Sequence, residues 1–210
     1  MWLKYSKYFL WLAYAYFSYL LLLITLQYIP YHTDVAFLRI KQDVIVFNHY
    51  KVAFFTHVYT SIFLMVFGAI QFSKYIQKKY VKLHRVSGRL YVGILLLLSG
   101  PSGLIMSYYA NGGLVAQVSF LLLSSFWMLF TFLSFYFILK RQVIKHQKFA
   151  IRSFALTLSA ISLRLFKYLL VLFFEPFPMD AYRIAAWSGW TFNLLLAEII
   201  IYYKFSRISK

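Results

Sequence analysis

Apolar residues run along this chain in six long stretches, each closed by a proline, a glycine turn or a burst of lysine and arginine. About 20 apolar residues in helical conformation, at roughly 1.5 Å per residue, cross a hydrocarbon core of about 30 Å. The pattern predicts transmembrane helices over 7–29, 49–73, 85–109, 117–139, 148–173 and 183–203. Pro30 closes the first, Asn111-Gly112-Gly113 turns the chain between the third and fourth, and Pro176 with Pro178 separates the fifth from the sixth. Pro101, between Gly100 and Gly103, falls inside the third and is expected to kink it. The chain therefore reads as an all-α integral membrane protein, a single membrane domain over 1–210. The stretch from Tyr8 to Ile29 is too long for a signal peptide and lacks a small-residue cleavage site, so it is expected to stay as an anchor.

Segment 30–48 is the longest connection. Val35, Phe37, Leu38, Ile40, Val44, Ile45 and Phe47 alternate there with polar residues. That pattern suits a short element on the interface or over the bundle mouth, and equally a plain linker.

Charge orients the helices. Lys4 and Lys7, the cluster Lys74, Lys78, Lys79, Lys82, Arg85 and Arg89, the cluster Lys140, Arg141, Lys145, Lys148 and Arg152, and finally Lys204, Arg207 and Lys210 all fall on one side of a six-span topology. The intervening loops carry few cations or balance them with Asp34, Asp43, Glu175 and Asp180. Because lysine and arginine are retained in the cytoplasm, both termini are expected there. A net charge of +17 would suggest nucleic acid in a soluble protein. Here the cations sit in short membrane-flanking loops, so anionic lipids at the cytoplasmic face of a bacterial plasma or inner membrane are the expected partners, and no nucleic acid is. A composition 62% hydrophobic and 22% aromatic leaves no room for a soluble domain. The absence of cysteine excludes disulfides, thiolate metal sites and cysteine nucleophiles. No nucleotide loop, paired-histidine zinc motif, serine elbow or close carboxylate pair occurs.

Ionisable residues inside spans are costly in lipid and are the first candidates for function. His57 lies about 12 Å below the outer end of the second span, with Arg164 at similar depth in the fifth, so the two are expected to share an outer cavity. At about 100° per residue, His146, Ser153, Thr157 and Arg164 share one side of the fifth span. His57, Ser61, Gly68 and Gln71 share a side of the second, and His84, Gly88, Tyr91 and Ser102 a side of the third. The inner half holds His84 and His146 where the third and fifth spans enter the membrane, with Arg89, Arg152 and Glu198 a turn or two deeper. Glu198 is expected to pair with Arg152. The bland alternative makes these stripes the seams between helices. The sharper one makes His84 and His146 axial ligands of a haem b iron, with Arg89 and Arg152 beside its propionates. His32 and His49 read as interfacial, and Trp2, Trp11, Trp187 and Trp190 as parts of aromatic belts.

His57, the run Gly68-Ala69-Ile70-Gln71-Phe72, the block Leu83-His84-Arg85-Val86-Ser87-Gly88-Arg89-Leu90-Tyr91-Val92 and the block His146-Gln147-Lys148-Phe149-Ala150-Ile151-Arg152-Ser153, followed by Arg164, resemble the bacterial membrane-protein family known as domain of unknown function number 2306. The resemblance covers about residues 50–170. It implies a four-helix core of spans 2–5, flanked by spans 1 and 6, in a family without an assigned reaction. The chain departs from the family pattern at Phe149-Ala150, where a tryptophan-methionine pair is usual. The core is also similar, at the level of fold and histidine placement, to transmembrane b-type cytochromes.

Three functional readings stay open on these residues. The first is a membrane redox protein with haem at His84 and His146 and a quinone or anionic ligand at His57 and Arg164. The second is a proton-linked carrier using His57, Arg164 and Glu198, hinged at Pro101. The third is a non-catalytic subunit or lipid-binding scaffold, working with a membrane-protein partner or as a homo-oligomer.

Overall fold

A computed structural model of the chain describes residues 2–206, which are helical with short connections and contain no strand. We label the long helices α1 (Trp2–Leu26), α2 (Asn48–Phe72), α3 (Val81–Tyr108), α4 (Leu114–Leu139), α5 (Val143–Thr157), α6 (Ser159–Phe174) and α7 (Pro178–Phe205). Five helices are each long and apolar enough to cross a membrane, and α5 with α6, bent by 42° at their junction, makes a sixth if the pair is one span.

Several helices extend past their apolar runs, because backbone hydrogen bonding continues where hydropathy has stopped. α3 begins at Val81 and α5 at Val143, so both His84 and His146 belong to first turns of helix. α7 begins at Pro178, where a proline at the first helical positions costs nothing because its missing N–H would have no partner there; Asp180 in the first turn faces the positive helix end.

The irregularity in α3 is not the simple proline kink. Leu95–Ser99 forms one π-helical turn just ahead of Pro101, closed by the Gly100 N–H to the Leu95 carbonyl. A π turn takes up the register that Pro101, unable to donate, would otherwise break. The bend between α5 and α6 at Leu158 involves no proline. There the Asn193 side-chain amide donates to the Ala155 carbonyl at 3.1 Å, competing for the acceptor that the Ser159 N–H would use. Ser162 in turn donates to Asn193 Oδ1 at 2.8 Å, so α7 holds the bend from outside.

α2, α3, α4 and α5 form the four-helix core. Leu64, Tyr91, Leu95, Trp127, Leu156 and Trp190 pack as one buried cluster at its centre. The two flanking helices differ. α7 lies against α4, α5 and α6 through a ladder of buried residues every fourth position, Ala181, Ala185, Gly189, Asn193, Ala197, Ile201 and Phe205. Small residues at that spacing let helix backbones close together where lipid offers no hydrophobic drive. α1 stands largely in lipid and is tied to α2 by the Tyr14 hydroxyl donating to the Met65 carbonyl at 2.5 Å.

Segment 30–48 folds over the mouth of the bundle as a 3-10 turn (Ala36–Ile40) and a short helix (Gln42–Ile45). Leu38 and Ile45 are buried against Tyr28, Tyr50, Phe54 and Phe55. Lys41 is buried beneath this cap, its ammonium donating to the Tyr109 carbonyl. Desolvation holds the Lys41 pKa below the ordinary lysine value of 10.5, with Asp43 opposing. A cation with a depressed folded pKa binds fewer protons folded than unfolded, so cap stability rises with pH until it passes 10.5. Hydrogen exchange of residues 36–45, corrected for intrinsic rate, should be slower at pH 10 than at pH 8, and the difference should vanish in Lys41→Met.

Candidate functional site

The polar stripes of α2, α3, α4 and α5 meet along the core axis as a column of side chains in three layers. Sequence periodicity had singled out α2, α3 and α5. The fourth wall comes from α4, where Ser124, Trp127, Thr131 and Ser134 recur at i, i+3, i+7 and i+10 and are all buried. That helical spacing was present in the sequence, masked by an apolar run with no ionisable residue.

In the middle layer the Tyr91 hydroxyl lies 2.6 Å from Thr157 Oγ1 and 3.1 Å from Ser153 Oγ. Trp127 Nε1–H donates to Thr157 Oγ1 at 3.0 Å, and Thr131 Oγ1 lies 2.6 Å from Ser153 Oγ. Thr131 and Thr157 also donate back to the Trp127 and Ser153 carbonyls, at 2.7 and 3.2 Å. Every polar group here has a protein partner, so the layer is a closed network that ties α3, α4 and α5 together.

The layer at the cation-poor end is built on the π turn. His57 Nδ1 lies 2.9 Å from the Ser99 carbonyl, an acceptor only, which fixes Nδ1–H as the donor and leaves Nε2 as the lone-pair nitrogen. Thr60 Oγ1 contacts Ser99 Oγ at 2.7 Å, so α2 grips the same residue from both sides of its stripe. Gly103 makes the room. A Cβ there would sit 3.3 Å from the His57 ring. The outer face of the ring lies edge-on to Trp127, centroids 6.4 Å apart.

The layer at the cation-rich end contains His84 and His146. Each lies seven residues, about two turns, before its partner in the Tyr91–Ser153 contact, so the two histidines share those facing stripes. No Cα of α3 approaches within 8 Å of one in α5, so the two helices meet through side chains alone. His146 Nδ1–H donates to the Ser134 carbonyl at 2.9 Å, fixing the same tautomer as in His57. The Ser134 hydroxyl lies 3.0 Å from the same nitrogen. His84 is held through its backbone. Its carbonyl accepts from Gln71 Nε2 at 2.9 Å, and Gln71 also donates to Ser87 Oγ at 2.7 Å. The His84 ring nitrogen Nδ1 is buried and, among the described residues, has no hydrogen-bond partner. A buried ring nitrogen without a partner is costly to leave so, and it marks a place where a ligand could complete the site.

Of the arginines, Arg152 makes the expected pair with Glu198. Arg152 is committed to Glu198 of α7 through a two-pronged ion pair of 2.5 and 2.8 Å, and lies over the Phe149 ring at 5.0 Å. Arg89, about 140° around α3 from His84, is exposed. The guanidinium whose charge acts on His84 is that of its neighbour Arg85. Arg164 leaves the stripe it was assigned to, because the bend at Leu158 turns α6 away from α5. It is exposed to the membrane surroundings and donates to the Ala160 carbonyl of its own helix at 2.6 Å. Among the described residues no hydrogen bond joins it to His57 or to Tyr28.

No curated protein and no solved structure matches the chain. A family model described as a predicted membrane protein, DUF2306, matches residues 54–201. The matched stretch runs from within α2 to four residues short of the end of α7 and includes all three layers, so the column and the ladder up to Ile201 lie within one family unit. By this match, which covers more than half of its length, the chain belongs to the DUF2306 family of membrane proteins.

Proposed function

We propose that this polytopic membrane protein is a haem-binding redox protein of a bacterial cell membrane, in which His84 and His146 would hold one haem b near the cytoplasmic face. The observation that carries the reading is the pair itself: two half-buried imidazoles on facing helices, one fixed as the Nδ1–H tautomer by the Ser134 carbonyl, the other with a buried, unpartnered ring nitrogen. A metal-ligating histidine characteristically donates its second ring N–H to a carbonyl, which orients the ring and raises the basicity of the free nitrogen. Two imidazoles are too few for a bare ion, and among the described residues no cluster of three or more histidine, aspartate or glutamate side chains occurs. They suffice for an iron that brings four equatorial nitrogens of its own.

A haem bound between the two would supply reversible one-electron exchange. The protein's part is to hold and shield. Ser134 orients His146, Gln71 anchors the helix turn carrying His84, and the saturated Tyr91–Trp127–Thr157 layer closes the site against the membrane interior. The closed middle layer speaks against a carrier with a midplane path, since Trp127 donates only and cannot relay a proton. It suits equally a scaffold in which the column is glue between helices, our second reading. An ultraviolet–visible spectrum of protein purified after haem-supplemented expression tests the first against the second. A Soret band that shifts on reduction is expected, and its absence, with no extractable haem, would refute the haem site.

The same reading places the lysine-rich end in the cytoplasm, where Lys78, Lys79 and Lys82 around the short helix Lys74–Lys79 would meet anionic headgroups. With no native cysteine, single cysteines report topology without background. Gln77→Cys should resist an impermeant maleimide added to intact cells and Asp34→Cys should react; the reverse pattern would invert the protein.

A further inference from the structure

A groove of about 490 Å³ runs along the lipid-facing side of α2, between Tyr31 and Leu98, lined also by Lys51, Val52, Phe55, Thr56, Tyr59 and Thr60. That volume falls within the roughly 300–1,000 Å³ of small-ligand sites. Its walls are fixed by tertiary contacts. Tyr59 donates to the Tyr28 carbonyl at 2.7 Å, the Tyr31 ring lies 4.5 Å from that of Phe55, and Thr60 at the floor is bonded to Ser99 of the π turn.

Position along the helix says what fits. Lys51 is three residues into α2, level with the headgroups at the cation-poor end, and Thr60 lies about 14 Å deeper. The groove thus descends from the headgroup level and stops near the midplane, the depth of one leaflet of a core about 30 Å thick. It has a cation at its mouth and a largely apolar and aromatic lining, with the Thr56 and Thr60 hydroxyls toward its deep end. A quinone would need its polar ring at the floor, where the Thr60 hydroxyl is already engaged with Ser99 and donates to the Thr56 carbonyl at 2.6 Å.

We propose that this groove binds one phospholipid of the leaflet at the cation-poor end, an anionic headgroup on Lys51 and an acyl chain along Phe55, Tyr59 and Leu98. The occupant separates this site from the cytoplasmic lysines, which face the other leaflet. The proposal does not depend on haem at His84 and His146.

Native mass spectrometry of the full chain, released from nanodiscs holding equal phosphatidylglycerol and phosphatidylcholine, tests it. One retained phosphatidylglycerol per chain is expected, favoured about fivefold over phosphatidylcholine, the scale of one lysine at a charged surface. Lys51→Gln should equalise the two lipids while retention persists. Val52→Phe, which fills the shaft, should abolish retention of both, and Leu12→Phe on lipid-exposed α1 should change nothing. Equal occupancy of the two lipids in the unaltered protein, retention undiminished by Val52→Phe, or a co-purified isoprenoid quinone lost in Val52→Phe would each overturn the proposal.

Discussion

His146→Ala and His84→Ala should each remove the six-coordinate, bis-imidazole spectrum of the reduced protein and cut haem content to the level of the double variant. On the proposed haem reading the effect is all-or-none, because each replacement deletes one of the two imidazole donors and, among the described residues, no cluster of three or more such side chains offers another. The neighbours grade the result. Ser134→Ala keeps the backbone carbonyl that holds His146 Nδ1–H, so it should keep the spectrum. Gln71→Leu frees the His84 carbonyl and Ser87 together, a change beyond the ligands themselves, and should weaken haem retention by about 10–100-fold. His57→Ala and Arg164→Gln, which lie in the other half of the bundle, should leave haem content unchanged. If His57→Ala abolished the spectrum and His146→Ala did not, the site would belong to the outer layer instead.

Gly189→Leu should be the most damaging single change to assembly of the fold. A Cβ on Gly189 would lie 2.9 Å from Leu163 Cα, 3.0 Å from its Cβ and 3.1 Å from its N, so the obstacle is mainly the backbone of α6, which no rotamer change can clear. Even Gly189→Ala forces α6 and α7 apart, at a cost of about 1–3 kcal/mol for overpacking. At about 2–4 °C per kcal/mol for a chain of this size, alanine should lower the midpoint of thermal unfolding in detergent by several degrees. Leucine should prevent recovery of monodisperse protein. Gly93, with nothing within 4 Å of its added Cβ, is the matched control, and Gly93→Ala should be neutral or slightly stabilising. Equal effects at the two glycines would mean that α7 is held by something other than the close approach at Gly189.

Hydropathy was enough to read an all-helical membrane protein with several spanning helices. Twenty apolar residues cannot be hidden from water any other way, and helices must satisfy their own backbone in lipid, so spans are legible one at a time. The His84 and His146 stripes were legible for the same reason, since helical period alone puts both on the sides that carry Tyr91 and Ser153. Arg152 with Glu198 could be matched by depth and opposite charge.

The bend at Leu158 was not legible, because its cause lies 35 residues away in Asn193, whose amide competes for a carbonyl within α5. With that bend went the fate of Arg164, which a straight fifth span would have aimed at His57. The α4 wall was likewise unreadable as a site: Ser134 matters through a backbone carbonyl, a group every residue carries, and only the packing of α4 on α5 selects which one meets His146. The sequence by itself determined which stretches are long and apolar enough to cross a bilayer and which residues share a helix face, since both follow from local period and solvent. The tertiary structure alone decided which faces meet, which carbonyl each imidazole finds and where the fifth span turns, because those depend on contacts between residues far apart in the chain.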